Sequence, residues 1–254
     1  MKSEQVLRND KVLVFGGGSG IGKAIARRLL RENAGVTICG RSKEKLLAAK
    51  EELKSDDLFC LAGNVADVDS HEELFAKAEK LMGGLSAFVN SAALGSGTLG
   101  RGYEPWDITS AEWDMMTDTD FKAAFFLMRN EVNYLIDRQC RGNILNIASN
   151  AACMDIIGSY GASKLSIIKW TRALGKRFGH NGIVINGIAP GATLTPMIAH
   201  YARTEDQPYP RHALERFIKP EEIAELAFYL MSNYGEIICG HTVVADAGDK
   251  AATL

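Results

Sequence analysis

The sequence predicts an α/β protein built on one mostly parallel sheet, and three features predict it. Short apolar runs recur along the chain, helical patterns separate them, and a glycine cluster follows the first run. Runs such as Val12–Phe15 and Ile144–Ile147 lack polar alternation, as strands covered on both faces do. Strands alternating with helices at this rhythm imply right-handed βαβ crossovers and therefore parallel pairing.

Taken in order, Val12–Phe15 is the first strand, and Ile21, Ile25 and Leu29 then repeat every four residues to give a helix to about Glu32. Val36–Cys39 is the second strand, followed by a charged amphipathic helix over Lys43–Lys54. Leu58–Ala62 is the third strand, and Ser70 is placed to cap a helix running to Met82. Ala87–Asn90 is the fourth. Residues 92–109 turn irregular and glycine-rich, after which Ser110 is expected to cap one long helix to about Arg138, with Glu112 and Asp114 in its first turn. A strand ending at Ser149, a helix from Tyr160 to Phe178, and a strand over Ile183–Ile188 broken by Pro190-Gly191 come next. Residues 192–218 read as a loop or short helices. Pro220 opens a helix through Met231, and Thr242–Ala245 is the last strand. No repeat or linker divides residues 1–254 into more than one domain.

Composition narrows the function. A formal net charge of −2 favours neither nucleic acid nor an acidic surface. Five dispersed cysteines (Cys39, Cys60, Cys140, Cys153, Cys239) without Cys-x-x-Cys spacing fit neither a disulfide framework nor a metal site. The polar N-terminus lacks an apolar signal core, and no run is long enough to span a bilayer. The expectation is a soluble cytoplasmic protein.

The segment Gly16-Gly17-Gly18-Ser19-Gly20-Ile21-Gly22 joins the first strand to the first helix. Glycines there allow close backbone approach, so that a pyrophosphate can sit on the helix N-terminus. No Gly-Lys-Ser/Thr closes the turn, which excludes a Walker loop. The end of the second strand faces the adenosine ribose in such folds. An acidic residue there would repel a 2′-phosphate, but this chain has Arg41 and Ser42, which favour NADP(H) over NAD(H).

The chemistry is expected around Ser149, Tyr160 and Lys164. Tyr160 and Lys164 are four apart and share a helix face, and Ser149 ends a strand. A phenol with a pKa near about 10 is a poor acid or base at neutral pH. A nearby ammonium favours the phenolate, and a serine hydroxyl can hold a substrate oxygen against it.

These pieces together resemble the short-chain dehydrogenase/reductase family over nearly the whole chain. Gly16, Gly20 and Gly22 match its cofactor glycines, and Asn90-Ser91-Ala92-Ala93 resembles its Asn-Asn-Ala-Gly segment. Ser149 with Tyr160-x-x-x-Lys164 matches its catalytic pattern, and Asn186–Gly191 with Thr195-Pro196-Met197 matches its nicotinamide cradle. Asp246-Ala247-Gly248 resembles its closing Asp-Gly-Gly. The resemblance implies a single Rossmann domain with a doubly wound, seven-stranded parallel sheet. It also implies a homotetramer or homodimer joined through the helices at 110–138 and 160–178. Tyr160 would be the acid/base, Lys164 would bind the nicotinamide ribose, and Ser149 would orient the substrate oxygen. Further cofactor contacts are expected from Ser19, Ile21, Asn64 and Val65, and from Asn90, Pro190, Gly191, Thr193 and Thr195.

The chain departs from the family pattern at Phe15, Asn64, Ser91 and Ala93, and in a short interval between Ser149 and Tyr160. Ser159 is adjacent to the tyrosine and would point elsewhere on the helix, which leaves Ser149 as the serine. The largest departure is Asp120, where the family has a fourth catalytic residue, an Asn that helps hold a water leading from the lysine to solvent. An ionised Asp only accepts hydrogen bonds, so it would stabilise Lys164 and partly screen its pull on Tyr160.

Residues 192–218, with His200, Tyr201, Tyr209 and His212, are expected to form a lid over the substrate. Leu94, Tyr103 and Trp106, then Asn150, Met154 and Ile156, would form the other wall. That mixture suits a medium-sized hydrophobic alcohol or ketone, with a sugar or a 3-oxoacyl thioester as alternatives. The leading expectation is a carbonyl reductase or alcohol dehydrogenase. The alternative is a dinucleotide-binding relative that has lost catalysis and acts as a sensor or structural protein.

Overall fold

A computed structural model of the protein describes residues 7, 10–95, 99, 105–200, 202, 204 and 206–252. Its strands are β1 (Lys11–Phe15), β2 (Gly35–Gly40), β3 (Leu58–Ala62), β4 (Ala87–Asn90), β5 (Gly142–Ile147), β6 (Ile183–Pro190) and β7 (Thr242–Ala245). They form one seven-stranded sheet in the order β3-β2-β1-β4-β5-β6-β7, with every pairing parallel. The helices are α1 (Gly20–Leu30), α2 (Lys43–Leu53), α3 (His71–Met82), α4 (Ser110–Thr117), α5 (Ala123–Asp137), α6 (Ser159–Phe178) and α7 (Pro220–Met231).

Strand alternation sorts the core into two layers. Val12 and Val14 of β1 pack with Ile25 and Leu29 of α1, Leu46 of α2 and Leu230 of α7. Leu13 and Phe15 face the opposite layer, with Phe75 of α3, Phe88 of β4 and Tyr134 of α5. Phe75 and Phe88 lie 5.2 Å apart, and the Tyr134 ring meets both edge-on at 5.9 and 5.7 Å. Because consecutive strands run outward in both directions from β1 and β4, a crevice opens at their carboxyl ends where the winding reverses.

The element order follows the sequence, with four local corrections. The expected long helix over 110–138 is interrupted by a π-helical turn at Asp118–Lys122. That turn buries Thr119 and Asp120 against α6, at a place where π turns often serve a site. Its N-cap is Thr109 rather than Ser110: the Thr109 hydroxyl accepts from the Glu112 N–H, and the Glu112 carboxylate accepts from the Thr109 N–H at 2.9 Å. Ser70 does not cap α3, because its hydroxyl donates to the Asp67 carbonyl at 2.8 Å. β6 runs two residues past the expected Ile188 and ends at Pro190, which is itself in register with Ala245. No helix among the described residues is long and apolar enough to cross a membrane.

Candidate active site

A cleft of about 790 Å³ lies along the carboxyl ends of the strands, running from Arg41 past Tyr160 to Arg211. Its nucleotide end is shaped by two backbone crossings. Gly16 has φ +76°, and a Cβ there would sit 2.7 Å from the Ser91 and Ala92 backbone. A Cβ on Gly22 would lie 2.5 Å from the Gly16 carbonyl oxygen, so the first turn of α1 rests directly on the turn that precedes it. Ser19 caps α1 by position, but its side chain makes no capping hydrogen bond. Gly16, Ser19, Gly20 and Ile21 border the cleft there, and the first-turn N–H groups of α1 carry the positive end of the helix dipole. This cradle fits the pyrophosphate of a dinucleotide.

At the adenosine end, Arg41 and Ser42 follow β2 and border the cleft with Asn64 and Val65. Ser42 also caps α2, accepting from the Lys45 N–H at 3.2 Å. Lys45 borders the same end. Sequence reasoning missed it, although its place one turn after the capping Ser42 was available as a signal. Among the described residues, none that borders this end is acidic.

Ser149 follows β5 and begins a 3₁₀ turn over Asn150–Cys153, its hydroxyl accepting from the Ala151 N–H at 3.1 Å. Tyr160 lies one residue inside α6, near enough to Ser149 for the serine hydroxyl to act on its phenol. Lys164 sits one turn further, its Nζ 5.4 Å from the centre of the Tyr160 ring. Its side chain is 2% exposed and faces Asp120, with Nζ 3.8 Å from Oδ1. The same Oδ1 accepts from the Leu94 N–H at 2.9 Å, while Oδ2 is buried without a hydrogen-bond partner. Asp120 therefore stands behind Lys164 and does not itself border the cleft.

Electrostatics modify the sequence expectation. Burial raises the Asp120 pKa to about 6, against the pull of Lys164 and of the Leu94 N–H. Lys164 was expected to lower the Tyr160 pKa. Instead burial first, and the Asp120 carboxylate second, push the phenol above its ordinary value, while the Ser149 hydroxyl acts in the other direction. The carboxylate screens the ammonium.

Two expected cofactor residues act from behind the cleft. Gly22 is the backbone crossing described above. Asn90 turns inward, and its Nδ2 lies 2.9 Å from both Glu131 Oε2 and Asn146 Oδ1. Asn146 in turn donates to Thr171 Oγ1 at 3.0 Å, so this network ties β4 and β5 to α5 and α6 beneath the reacting groups. Glu131 is fully buried there, and burial lifts its pKa to about 8 against the hydrogen bond from Asn90. Pro190, Gly191, Thr193 and Thr195 border the cleft as expected, with Thr193 Oγ1 donating to the Gly191 carbonyl at 2.9 Å.

At the other end, Leu94, Asn150, Met154 and Ile156 form one wall, and His200 and Tyr209 form part of the other. His212 is fully buried instead, with Nδ1–H donating to the Arg216 carbonyl at 2.8 Å. Trp106 is 83% exposed and away from the cleft. Tyr103 and Tyr201 lie outside the described residues. Sequence reasoning missed Arg211 and Asp249, both of which border the cleft, as Met197 and Ile157 also do. Arg211 Nε donates to Asp249 Oδ1 at 2.7 Å, a contact between positions with no periodic relation.

The doubly wound sheet, the glycine cradle and the Ser149–Tyr160–Lys164 cluster define a dinucleotide-dependent oxidoreductase. Residues 10–206 match the family model described as short chain dehydrogenase. The chain is 30% identical over 256 residues to a levodione reductase of Leifsonia aquatica, covering 95% of this chain and 94% of the relative. It is 27% identical over 253 residues to a 2,5-dichloro-2,5-cyclohexadiene-1,4-diol dehydrogenase of Sphingobium indicum, covering 96% and 98%. Among solved structures, an actinorhodin polyketide ketoreductase variant with NADPH is similar at a TM-score of 0.83 and 26% identity, covering 93% and 95%. The protein belongs to the short-chain dehydrogenase/reductase family and is an oxidoreductase that binds a nicotinamide dinucleotide and acts on CH–OH or carbonyl groups.

Proposed function

We propose that the protein is an NADP(H)-dependent carbonyl reductase or alcohol dehydrogenase that uses Tyr160 as its acid/base. The observation that carries this reading is the convergence of Ser149, Tyr160 and Lys164 beside the dinucleotide cradle. The nicotinamide, when bound, supplies or accepts the hydride. Ser149 donates a hydrogen bond to the substrate oxygen and holds it against the Tyr160 hydroxyl. In reduction the phenol gives its proton to that oxygen, and in oxidation the phenolate takes one. Lys164, the residue placed to hold the nicotinamide ribose, keeps a positive charge beside the ring. Asp120 receives the far side of Lys164 and takes part in refilling the proton on Tyr160. Residues 192–218 act as the substrate lid.

The preference for NADP(H) is supported by Arg41, Ser42 and Lys45 and by the lack, among the described residues, of a bordering carboxylate at the adenosine end. Assembly into a dimer or tetramer is supported by an aromatic patch on α5, α6 and the π turn. Phe121 and Phe125 are 42% and 39% exposed, and pack 4.9 and 5.3 Å from Trp170.

The test is NADPH-dependent turnover of simple diketones and quinones. Tyr160→Phe is expected to lower kcat on the order of 10²–10⁴-fold while leaving NADPH binding intact. Turnover that survives this substitution would refute the assigned role.

A further inference from the structure

We infer that Arg211 and Asp249 form a subsite that reads a second, uncharged oxygen function on the substrate, a hydroxyl or keto group apart from the reacting carbon. This rests on the carbonyl/alcohol reading of the same cleft. Residues from three segments distant in sequence meet at its substrate end. Asp249 Oδ1 accepts from Arg211 Nε at 2.7 Å and from the Ala251 N–H at 3.0 Å, and Oδ2 accepts from Asn150 Nδ2 at 2.8 Å. Arg211 Nη2 points at Met154 Sδ, 3.0 Å away.

The roles divide by exposure. The Asp249 side chain is 2% exposed and both of its oxygens are engaged, so it positions the guanidinium and does not meet the substrate. The Arg211 side chain is 41% exposed and borders the cleft. One acceptor of its Nη2 is a thioether, among the weakest a protein offers. A hydroxyl or carbonyl oxygen entering the cleft is a stronger acceptor and would take that N–H from the sulfur. Asn150 directly follows Ser149, so the cluster is tied to the residue that holds the reacting oxygen. One substrate therefore meets both.

Charge sets the class. Asp249 balances the Arg211 cation locally, so a substrate carboxylate or phosphate gains little there and meets a buried negative charge behind the guanidinium. A neutral oxygen needs only the donor. The neighbouring walls carry apolar surface from Leu94, Ile156 and Met197 beside the polar His200 and Tyr209. The class indicated is a mostly apolar carbonyl or alcohol compound bearing a second hydroxyl or keto group.

The experiment compares kcat/KM for cyclohexanone, cyclohexane-1,2-dione, cyclohexane-1,4-dione and 4-oxocyclohexanecarboxylate with NADPH. The wild-type protein is expected to prefer a dione to cyclohexanone by about ten- to hundredfold, the range of one hydrogen bond to a charged group. Arg211→Met keeps the apolar stem and should bring that ratio close to one. The ratio is internal to each protein, so a general loss of activity does not imitate the result. Asp249→Asn should shift preference towards the carboxylate-bearing ketone. A wild-type ratio near one, an unchanged ratio in Arg211→Met, or a wild-type preference for the carboxylate would overturn the subsite. If no ketone is turned over, the carbonyl-reductase reading fails by itself. The subsite is then judged by thermal shift of the NADP⁺-loaded protein with cyclohexane-1,4-diol against cyclohexanol. A diol-selective shift abolished in Arg211→Met supports it, and equal shifts overturn it.

Discussion

The Asp120 carboxylate stands 3.8 Å from the Lys164 ammonium, with both side chains sealed from solvent, and the same ammonium lies 5.4 Å from the centre of the Tyr160 ring. The pair acts on the phenol in opposite directions. Above its pKa of about 6, Asp120 is ionised and disfavours the phenolate. Asp120→Asn removes that charge and keeps the shape, so the phenolate forms at lower pH. The expected outcome is a shift of the rising limb of alcohol oxidation by about one pH unit towards acid, on the scale of a nearby charge. Rates of alcohol oxidation between pH 6 and 10 check this, and an unchanged kcat and profile would remove Asp120 from the mechanism.

Arg41 and Lys45 border the adenosine end, with no carboxylate among the described residues that border it. Replacing both by Ala should weaken NADPH binding by about ten- to hundredfold and leave NADH binding within about threefold, because charge-assisted bonds to a 2′-phosphate are the only ones lost. Titration by dihydronicotinamide fluorescence measures both. Equal losses for the two cofactors would show that these cations do not read the phosphate.

Glu131 gives the fold a pH dependence of its own. Its pKa rises from an ordinary 4.5 to about 8 in the folded chain. Between those values the folded state holds a proton that the unfolded chain has released, so stability falls as pH rises through the window and levels off above it. The full effect is at most on the order of 5 kcal/mol, at about 1.4 kcal/mol per pH unit. Glu131→Gln mimics the protonated acid. Its Tm relative to wild type should climb from pH 5 to 8 and then stay level. A constant difference would mean that Glu131 is ionised throughout.

Gly22→Ala places a methyl group 2.5 Å from a backbone oxygen that cannot move aside without moving the whole cradle. A cost of about 1–3 kcal/mol is expected from such overpacking, which lowers Tm by several degrees. NADPH affinity should fall with it. Scanning fluorimetry with and without cofactor tests both effects, and an unaffected Tm would contradict the crossing.

Local signals made most of the fold legible. Apolar runs and helical periods placed all seven strands, and the spacing of Tyr160 and Lys164 already put them on one face. The Asn90 side chain turns into the core network, a direction that its motif does not encode. It lies in register with Phe15 and Asn146 on neighbouring strands, and alternation alone puts it with Phe88 on the layer facing α3 and α5. The π turn carries no glycine or proline to announce it. Arg211 and Asp249 meet only through tertiary packing, which no window of sequence contains.

The order in which these parts leave the ribosome differs from the order in which they act. The Gly16 turn is packed against Ser91 and Ala92, so the first contacts of the nucleotide cradle come from little more than a third of the chain. The reacting groups follow by Lys164. The wall that recognises substrate must wait for Asp249, which anchors both Arg211 and Asn150. The coenzyme cradle is itself closed only at Thr195, which faces Gly20, so both ends of the cleft depend on the later part of the chain.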